Sequence, residues 1–362
     1  MPLAILWVLI FCFSVPALAA ESDWKEKWNQ LLTAARKEGR VVVSGPPNPA
    51  ARVEIPAKFK ERFGIAVEYV GGGSSQLAAR LKLEQQSGNS SLDVLLGGAT
   101  TPATILYPEK RIEPITPALL LPEVTDPSRW KPGKLWFMDP EGKYILRLFN
   151  VVREILHINT AYAKAGDFKS MGDLLGPEWK GKISVASPTD AGTGSNTAAQ
   201  FYVRLGEDFV KKLYIDQKPV ISRDSRQMAD WLARGVYPVS LSAREEDIHR
   251  LKEEGLPVAT IYRLSDWPGT VTSGSGQVVL IAGAPNPNAA RVFVNWIASR
   301  EGLEVYARAN RAATTRKDVD ESFLPREIIP TAGVDYFDSN SWEFTVTRRE
   351  AVKRRLNELL KK

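Results

Sequence analysis

Residues 38–75, EGRVVVSGPPNPAARVEIPAKFKERFGIAVEYVGGGSS, contain the alternation that decides the fold of this chain. The apolar run Val41–Val43 is typical of a short buried strand, and the Gly-Pro-Pro that follows ends it. Residues 56–63 then predict a helix, and residues 65–69 alternate as a second strand before a turn rich in glycine and serine. Strands that alternate with helices predict a largely parallel sheet with helices on its faces.

The same alternation continues on both sides of this stretch. Upstream, Asp23 has the form of a helix N-cap, and Gly39 ends the predicted helix. Downstream, strand and helix signals alternate through residues 74–98 and again through residues 183–241. The chain is therefore predicted to hold an α/β unit in each half.

Two further segments shape the predicted organisation. Residues 102–140 are rich in proline and predict an irregular connection near a domain crossing. Asn286 followed by Pro287 predicts the start of a late helix, with Asn286 as its N-cap.

The first twenty residues are predicted to be an export signal. They carry no charged side chain, and an apolar run ends in Ala17-Leu18-Ala19, a pattern that places cleavage after Ala19 or Ala20. An uncleaved anchor is the alternative. After cleavage the chain has no cysteine, because Cys12 lies within the signal. We expect the mature protein in the periplasm.

Length and charge set further bounds. About 340 mature residues predict two domains. The net charge is +6, and residues 344–362 carry seven basic and two acidic side chains, so the rest of the chain is close to neutral. A solvated helix face is the expected interpretation of this terminal charge, with a docking surface as the alternative.

Signatures of enzymes and of nucleic-acid binding do not occur in the sequence. There is no Gly-x-Ser-x-Gly elbow, phosphate-binding loop or dinucleotide fingerprint, and His157 and His249 have no metal-ligand spacing. We therefore expect a protein that is not an enzyme and that has no catalytic residue, cofactor, metal site or nucleic-acid partner. A secreted hydrolase or transferase is the alternative from another class.

Small polar loops follow several predicted strands, where open α/β sheets bind ligands. Glycines allow backbone N–H groups to approach a ligand, hydroxyls satisfy its oxygens, and a helix N-terminus favours negative charge. Each loop alone is also consistent with an ordinary helix cap. The candidate ligand-binding residues in these loops are Ser44, Gly73, Ser74, Ser75, Thr100, Thr193, Gly194 and Ser195.

Three arginines and one tryptophan complete the candidate site. Arg223 and Arg244 follow strands of the second half, and Arg147 lies in the expected crossing segment. A guanidinium group binds carboxylate or phosphate in bidentate geometry, so these residues favour an organic anion as ligand. Trp267 is a candidate aromatic wall. For each of these residues the alternative is a role in packing or at the surface.

Four segments resemble the periplasmic solute-binding proteins of ABC transporters, in the branch that includes ferric-ion-binding proteins. They are residues 38–43 (EGRVVV), 59–69 (FKERFGIAVEY), 174–183 (LLGPEWKGKI) and 283–302 (GAPNPNAARVFVNWIASREG), and they span nearly the whole mature chain. The resemblance implies a two-lobed α/β periplasmic-binding-protein fold of type II, with a ligand cleft between lobes joined by crossing strands.

The lobes implied by this resemblance are residues 21–141 with 276–325, and residues 142–275 with 326–362. The family's function implies a monomer that captures a small molecule and delivers it to an ABC permease in the inner membrane. Ferric-ion binders of this branch usually present adjacent tyrosines, and this chain has no Tyr-Tyr pair. An organic anion is therefore the expected ligand. Ferric iron or an iron complex, and a ligand-sensing role in the periplasm, are the alternatives.

Overall fold

A computed structural model describes residues 15–72, 74–86, 90–190 and 192–360, with side chains from Asp23 onward except for residues 74–78 and 85. The helices of this part of the chain are α1 (Val15–Glu38), α2 (Pro49–Phe63), α3 (Ser74–Gln86), α4 (Pro122–Thr125), α5 (Thr193–Lys211), α6 (Ser225–Ala233), α7 (Glu245–Glu253), α8 (Pro287–Ala298), α9 (Arg300–Asn310) and α10 (Arg349–Leu360).

The strands are short and distributed along the whole described chain. They are β1 (Arg40–Gly45), β2 (Ala66–Gly71), β3 (Val94–Gly97), β4 (Ile112–Glu113), β5 (Leu146–Arg147), β6 (Val151–Arg153), β7 (Leu156–Asn159), β8 (Ile183–Ala186), β9 (Val220–Ser222), β10 (Val239–Ser240), β11 (Val258–Ile261), β12 (Thr270–Thr272), β13 (Gln277–Ile281) and β14 (Phe337–Asp338).

These strands form three sheets. The first has the order β2-β1-β3-β13-β4, with β5 also paired to β13, and the second has the order β11-β7-β10-β8-β9. A small third sheet, β14-β12-β6, contains two antiparallel strands, β6 and β12, that lie in the chain between elements of the other two sheets. This third sheet is therefore where the chain crosses.

The prediction of a largely parallel sheet is wrong in one respect. β1 runs parallel to β2 and β3, and β8 runs parallel to β9 and β10, as the alternation indicates. However, β13 is antiparallel to β3, and β7 is antiparallel to β10 and β11. Both sheets are mixed, because β7 and β13 each enter their sheet directly after a strand of the crossing sheet, without a preceding crossover helix within that sheet.

Two large apolar cores lie in the structure. The first draws on residues 35–149 and 278–319, and includes Phe59, Phe293 and Trp296. The second draws on residues 155–267 and 344–356. The lobe boundaries remain a proposal, and we place the first crossing after Phe149 because β5 hydrogen-bonds within the first sheet.

Helix α2 begins seven residues earlier than expected. The side chain of Asn48 accepts hydrogen bonds from the backbone N–H groups of Ala50 and Ala51, at 2.9 and 3.2 Å, and Pro49 occupies the first helical turn. An Asn cap followed by proline is a stronger start signal than proline alone, so Pro56 lies inside the helix. The helix ends as predicted, with Gly64 in the left-handed conformation at φ 73°.

The predicted cap at Asp23 does not form, whereas Asn286 holds the N-cap position of α8 without a side-chain hydrogen bond to the helix. Asp23 lies inside α1 and makes an ion pair with Lys27 at 2.7 Å. Asn286 precedes α8 as expected, but its side-chain amide donates to Oδ2 of Asp93 at 3.0 Å instead of capping the helix. The buried Asp93 also accepts the backbone N–H of Asn286 at 2.7 Å. This contact ties the start of α8 to the strand β3.

The carboxyl-terminal segment packs against both cores. Trp342 and Val346 pack on a cluster at the first sheet that includes Leu106 and Ile145. Phe344, Val352 and Leu356 belong to the second core. Arg349, at the start of α10, donates to the hydroxyl of Thr100 at 3.2 Å. The segment therefore bridges the two halves of the molecule.

The predicted export signal lies mostly outside the described residues, which begin at Val15. Its cleavage remains a prediction. Within the part of the chain that the structure describes, no helix combines the length and the apolar character that crossing a bilayer requires.

Candidate ligand-binding cleft

A cavity of about 660 Å³ opens at the carboxyl ends of β8, β9 and β10. The loop from β8 to α5, the ends of β9 and β10, and the crossing strand β12 all contribute to its wall. Five residues proposed from the sequence line it: Thr193, Gly194, Arg223, Arg244 and Trp267. The second half of the chain thus supplies a pocket at the edge where α/β sheets bind ligands.

The amino terminus of α5 forms one side of this cavity. Gly194 packs so closely on the preceding strand that a Cβ atom would lie 2.3 Å from the carbonyl oxygen of Ser187. Ser195 is buried, and its hydroxyl donates to the carbonyl of Gly192 at 3.2 Å, so it turns away from the cavity. The first N–H groups of α5 have no partner within the helix, which makes this side suited to an anionic group.

Both candidate arginines at the cavity already have acidic neighbours. Arg223 is 83% exposed and pairs with Asp190 at 2.7 Å. Arg244 is 45% exposed and lies 3.7 Å from Glu246 and 3.9 Å from Asp247. Solvent-exposed pairs of this kind contribute little to stability, about 0–1 kcal/mol, so an incoming anion can engage either guanidinium at small cost.

Trp267 forms an apolar part of the wall. Its ring is buried, stacks on Phe337 with centroids 5.9 Å apart, and meets the ring of Phe201 edge-on at 5.3 Å. The residue is therefore both a member of the second core and a cavity wall.

Neither Ser44 nor Thr100 is among the described residues that line this cavity. Ser44 is buried within β1, where its backbone pairs with β2 and β3. Thr100 accepts the hydrogen bond from Arg349 described above. Gly73 lies outside the described residues, and Ser74 and Ser75 begin α3 with side chains that are likewise not described. Their role in ligand binding remains a prediction.

Arg147 is buried and donates four hydrogen bonds to three groups of the protein. Its Nη1 donates to both carboxylate oxygens of Asp338 at 2.9 and 2.8 Å, its Nη2 to Asn150 at 2.7 Å and its Nε to the carbonyl of Phe149 at 3.0 Å. The guanidinium also lies over the ring of Trp136 at 4.2 Å. It does not line the cavity, and it ties the first sheet to the crossing sheet.

Sequence reasoning missed a charged network at the base of the cavity. Arg153, at the end of β6, contacts the carboxylate of Glu154 at 2.7 Å and that of Glu245 at 3.4 Å. The hydroxyl of Tyr262 donates to Glu245 at 2.6 Å. Burial raises the pKa of Glu154 to about 7, and the nearby Glu245 carboxylate acts in the same direction. The only sequence signal was a charged Arg-Glu pair inside an otherwise apolar extended run.

A second cavity of about 760 Å³ lies on the other side of this network. Its wall includes Asn48 and Arg311 from the first half of the fold and helix α7 from the second. Arg153, Glu245 and Glu246 line both cavities, so the network separates two compartments of one cleft.

The two histidines have ordinary surroundings. His157 is buried in β7, its Nδ1 lies 2.9 Å from the hydroxyl of Thr260, and burial lowers its pKa to about 4, so it is neutral at physiological pH. His249 lies on the exposed face of α7, 3.7 Å from Glu253. Among the described residues no group of three His, Cys, Asp or Glu side chains is arranged to hold a metal ion.

Two mixed α/β units, crossing strands and a polar cleft define a two-lobed binding protein of the type II periplasmic class. The chain belongs to the bacterial extracellular solute-binding protein family, whose sequence profile matches residues 54–325.

The relatives of this chain share its fold at low sequence identity. An uncharacterized protein of Haemophilus influenzae is 26% identical over 288 residues, which cover 75% of this chain and 76% of that protein. The periplasmic binding protein AfuA of Actinobacillus pleuropneumoniae, solved with fructose 6-phosphate, has a TM-score of 0.64 at 20% identity, with 89% of this chain and 99% of that chain covered. The Trichodesmium protein IdiA (FutA), solved with iron and citrate, has a TM-score of 0.67 at 14% identity, with the same coverage.

Proposed function

We propose that this protein is the periplasmic substrate-binding component of an ABC transporter, which captures a small organic anion in the cleft and delivers it to an inner-membrane permease. One side of the cavity supports this ligand class: there the amino terminus of α5 lies beside Arg223. Backbone N–H groups and a guanidinium together suit a carboxylate or a phosphate. AfuA, which shares the fold, was solved with a sugar phosphate.

The ligand class is tested by thermal unfolding of the chain from Glu21 onward against organic anions, ferric iron and ferric citrate. A ligand at a hundred times its dissociation constant stabilises the folded state by about 2.7 kcal/mol, enough to raise the midpoint by several degrees. Stabilisation by organic anions and not by ferric iron supports the proposal. Stabilisation by iron or ferric citrate alone would instead favour the iron-binding alternative, for which the fold of the Trichodesmium protein is a precedent.

Replacing both Arg223 and Arg244 with Ala is expected to weaken the best anion from this screen at least tenfold. Loss of one hydrogen bond to a charged group typically costs about 1.5–3 kcal/mol, and exposure of these two side chains places the expected effect at the low end. Isothermal titration calorimetry measures the change.

The matched control replaces Arg234 and Arg250 with Ala. Both are exposed arginines in ion pairs, Arg234 directly after α6 and Arg250 on α7, and neither lines the cavity at α5. Unchanged affinity in this control with weakened affinity in the first variant supports the assignment. Equal affinities in the two variants would show that neither Arg223 nor Arg244 contributes to ligand binding.

We further propose that the bound solute leaves the protein chemically unchanged. Mass spectrometry of the solute after prolonged incubation tests this, and turnover would favour the hydrolase or transferase alternative.

The membrane partner distinguishes transport from sensing. If the protein binds a membrane receptor in place of a permease, it has the sensing role. Co-purification from membranes that contain the candidate permease distinguishes the two. A monomer in size-exclusion chromatography is expected for either role.

A further inference from the structure

The network between the two compartments has more negative charge than its arginine balances. Glu154 and Glu245 both face Arg153, and among the described residues Arg153 is the only cation that forms an ion pair with either carboxylate. Removal of carboxylates from water is costly unless their charge is compensated, so one positive charge is lacking at this place.

One oxygen atom shows where that charge is lacking. Oε2 of Glu154 is buried and has no hydrogen-bond partner among the described residues. In the absence of ligand, the raised pKa of Glu154 means that a proton supplies the missing charge near neutral pH. The groups that face Glu154 are Arg153 and Glu245, and Tyr262 lies beyond Glu245.

The two carboxylates also reach the cavity. Glu154 lines it with 16% of its side chain exposed, and Glu245 lines it with 23% exposed. The α5 terminus and Arg223 form another part of the same wall. The cavity therefore has an acidic part and a part that favours anions. A ligand with only negative groups would bind the second part and leave the acidic part without a partner.

We propose that the solute is dipolar: Glu154 and Glu245 bind a protonated amine, while the α5 terminus and Arg223 bind its anionic group. This inference rests on the proposed function and narrows its ligand class. The ammonium group takes the place of the proton at the two carboxylates, and one of its N–H groups provides the donor that Oε2 of Glu154 lacks.

Two pairs of small molecules test the contribution of the ammonium group to affinity. Glucosamine 6-phosphate differs from glucose 6-phosphate, and phosphoserine from 3-phosphoglycerate, by an amine in place of a hydroxyl. By calorimetry at pH 7, at least one amine is expected to bind at least tenfold more tightly than its hydroxyl partner. In the Glu154→Gln variant this preference is expected to fall below threefold, whereas Glu254→Gln, an exposed acid that lines neither cavity, should leave it unchanged.

The pH dependence of amine affinity also tests this role, because a carboxylate with a purely structural role would not affect it. Amine binding requires ionised Glu154, and a group with a pKa of about 7 goes from roughly one-tenth ionised at pH 6 to roughly nine-tenths at pH 8. Affinity for phosphoserine, whose amine stays protonated over this range, should therefore rise about tenfold relative to 3-phosphoglycerate. Glu154→Gln should abolish that relative rise.

The outcomes separate this inference from the proposed function. Equal affinity of amine and hydroxyl partners would overturn the dipolar ligand and leave an organic anion in place. Binding of ferric citrate with no binding of any of the four probes would overturn both. A Glu154→Gln variant that is folded by circular dichroism and weakens both members of a pair equally would assign Glu154 a structural role only.

Discussion

Replacement of Arg147 with Met is expected to lower the free energy of unfolding by about 3 kcal/mol. Removal of one partner of a buried ion pair typically costs about 3–5 kcal/mol, and the lower value applies because Asp338 retains partial access to water. The variant also leaves the carbonyl of Phe149 and the side chain of Asn150 without their donor. Urea denaturation of the ligand-free protein measures the change.

The same variant distinguishes a structural role from a ligand-binding one. Because Arg147 does not line the cavity, ligand affinity well below the unfolding midpoint should change by less than twofold. Arg223→Met is the matched control, since its guanidinium is exposed, and it should leave stability nearly unchanged while weakening the anion. Lost affinity with unaltered stability in the Arg147 variant would show that this residue belongs to the binding site.

Replacement of Trp267 with Ala is expected to destabilise the protein by about 3–5 kcal/mol, the range for Trp or Phe truncation in a core. The deletion removes the stacked contact with Phe337 and the edge contact with Phe201. It also enlarges the cavity that the indole ring borders, so ligand affinity should fall as well. Differential scanning calorimetry and titration calorimetry measure the two effects.

Trp267→Phe is the control for this prediction. A phenyl ring retains an apolar surface against Phe337, so most of the stability should return. Full recovery of stability together with lost affinity would show that the indole ring contacts the solute directly. Wild-type stability in Trp267→Ala would contradict the packing role.

The sequence contained enough information for the fold because periodicity and turn residues act locally. The predicted helix from Asn286 onward is α8, whose apolar face is buried in the first core. The loop from β8 into α5 was identified from its glycines and hydroxyls, and it borders the cavity. The start of α2 differs from the prediction because Pro49 and Pro56 both match a first-turn signal, and the cap of Asn48 favours the earlier proline.

The partners of charged side chains could not be predicted in the same way. Arg147 and its partner Asp338 lie 191 residues apart, and no local pattern links them. An arginine in a crossing segment is equally compatible with a ligand contact and with a buried ion pair until the fold brings an acid to it. Glu154 could not be predicted for the same reason, because burial raises its pKa, and that burial and the nearby Glu245 both depend on the tertiary fold.

The carboxyl-terminal segment has a mechanical consequence for a protein of this architecture. Trp342 meets the ring of Tyr107 edge-on at 5.3 Å, and Arg349 binds Thr100, while the helix between these contacts and the chain end is anchored in the second core. Any rotation of one core relative to the other has to slide or break these contacts. Residues 342–360 therefore resist rotation of one core relative to the other, in parallel with the crossing strands, and contribute to the resting angle of the cleft.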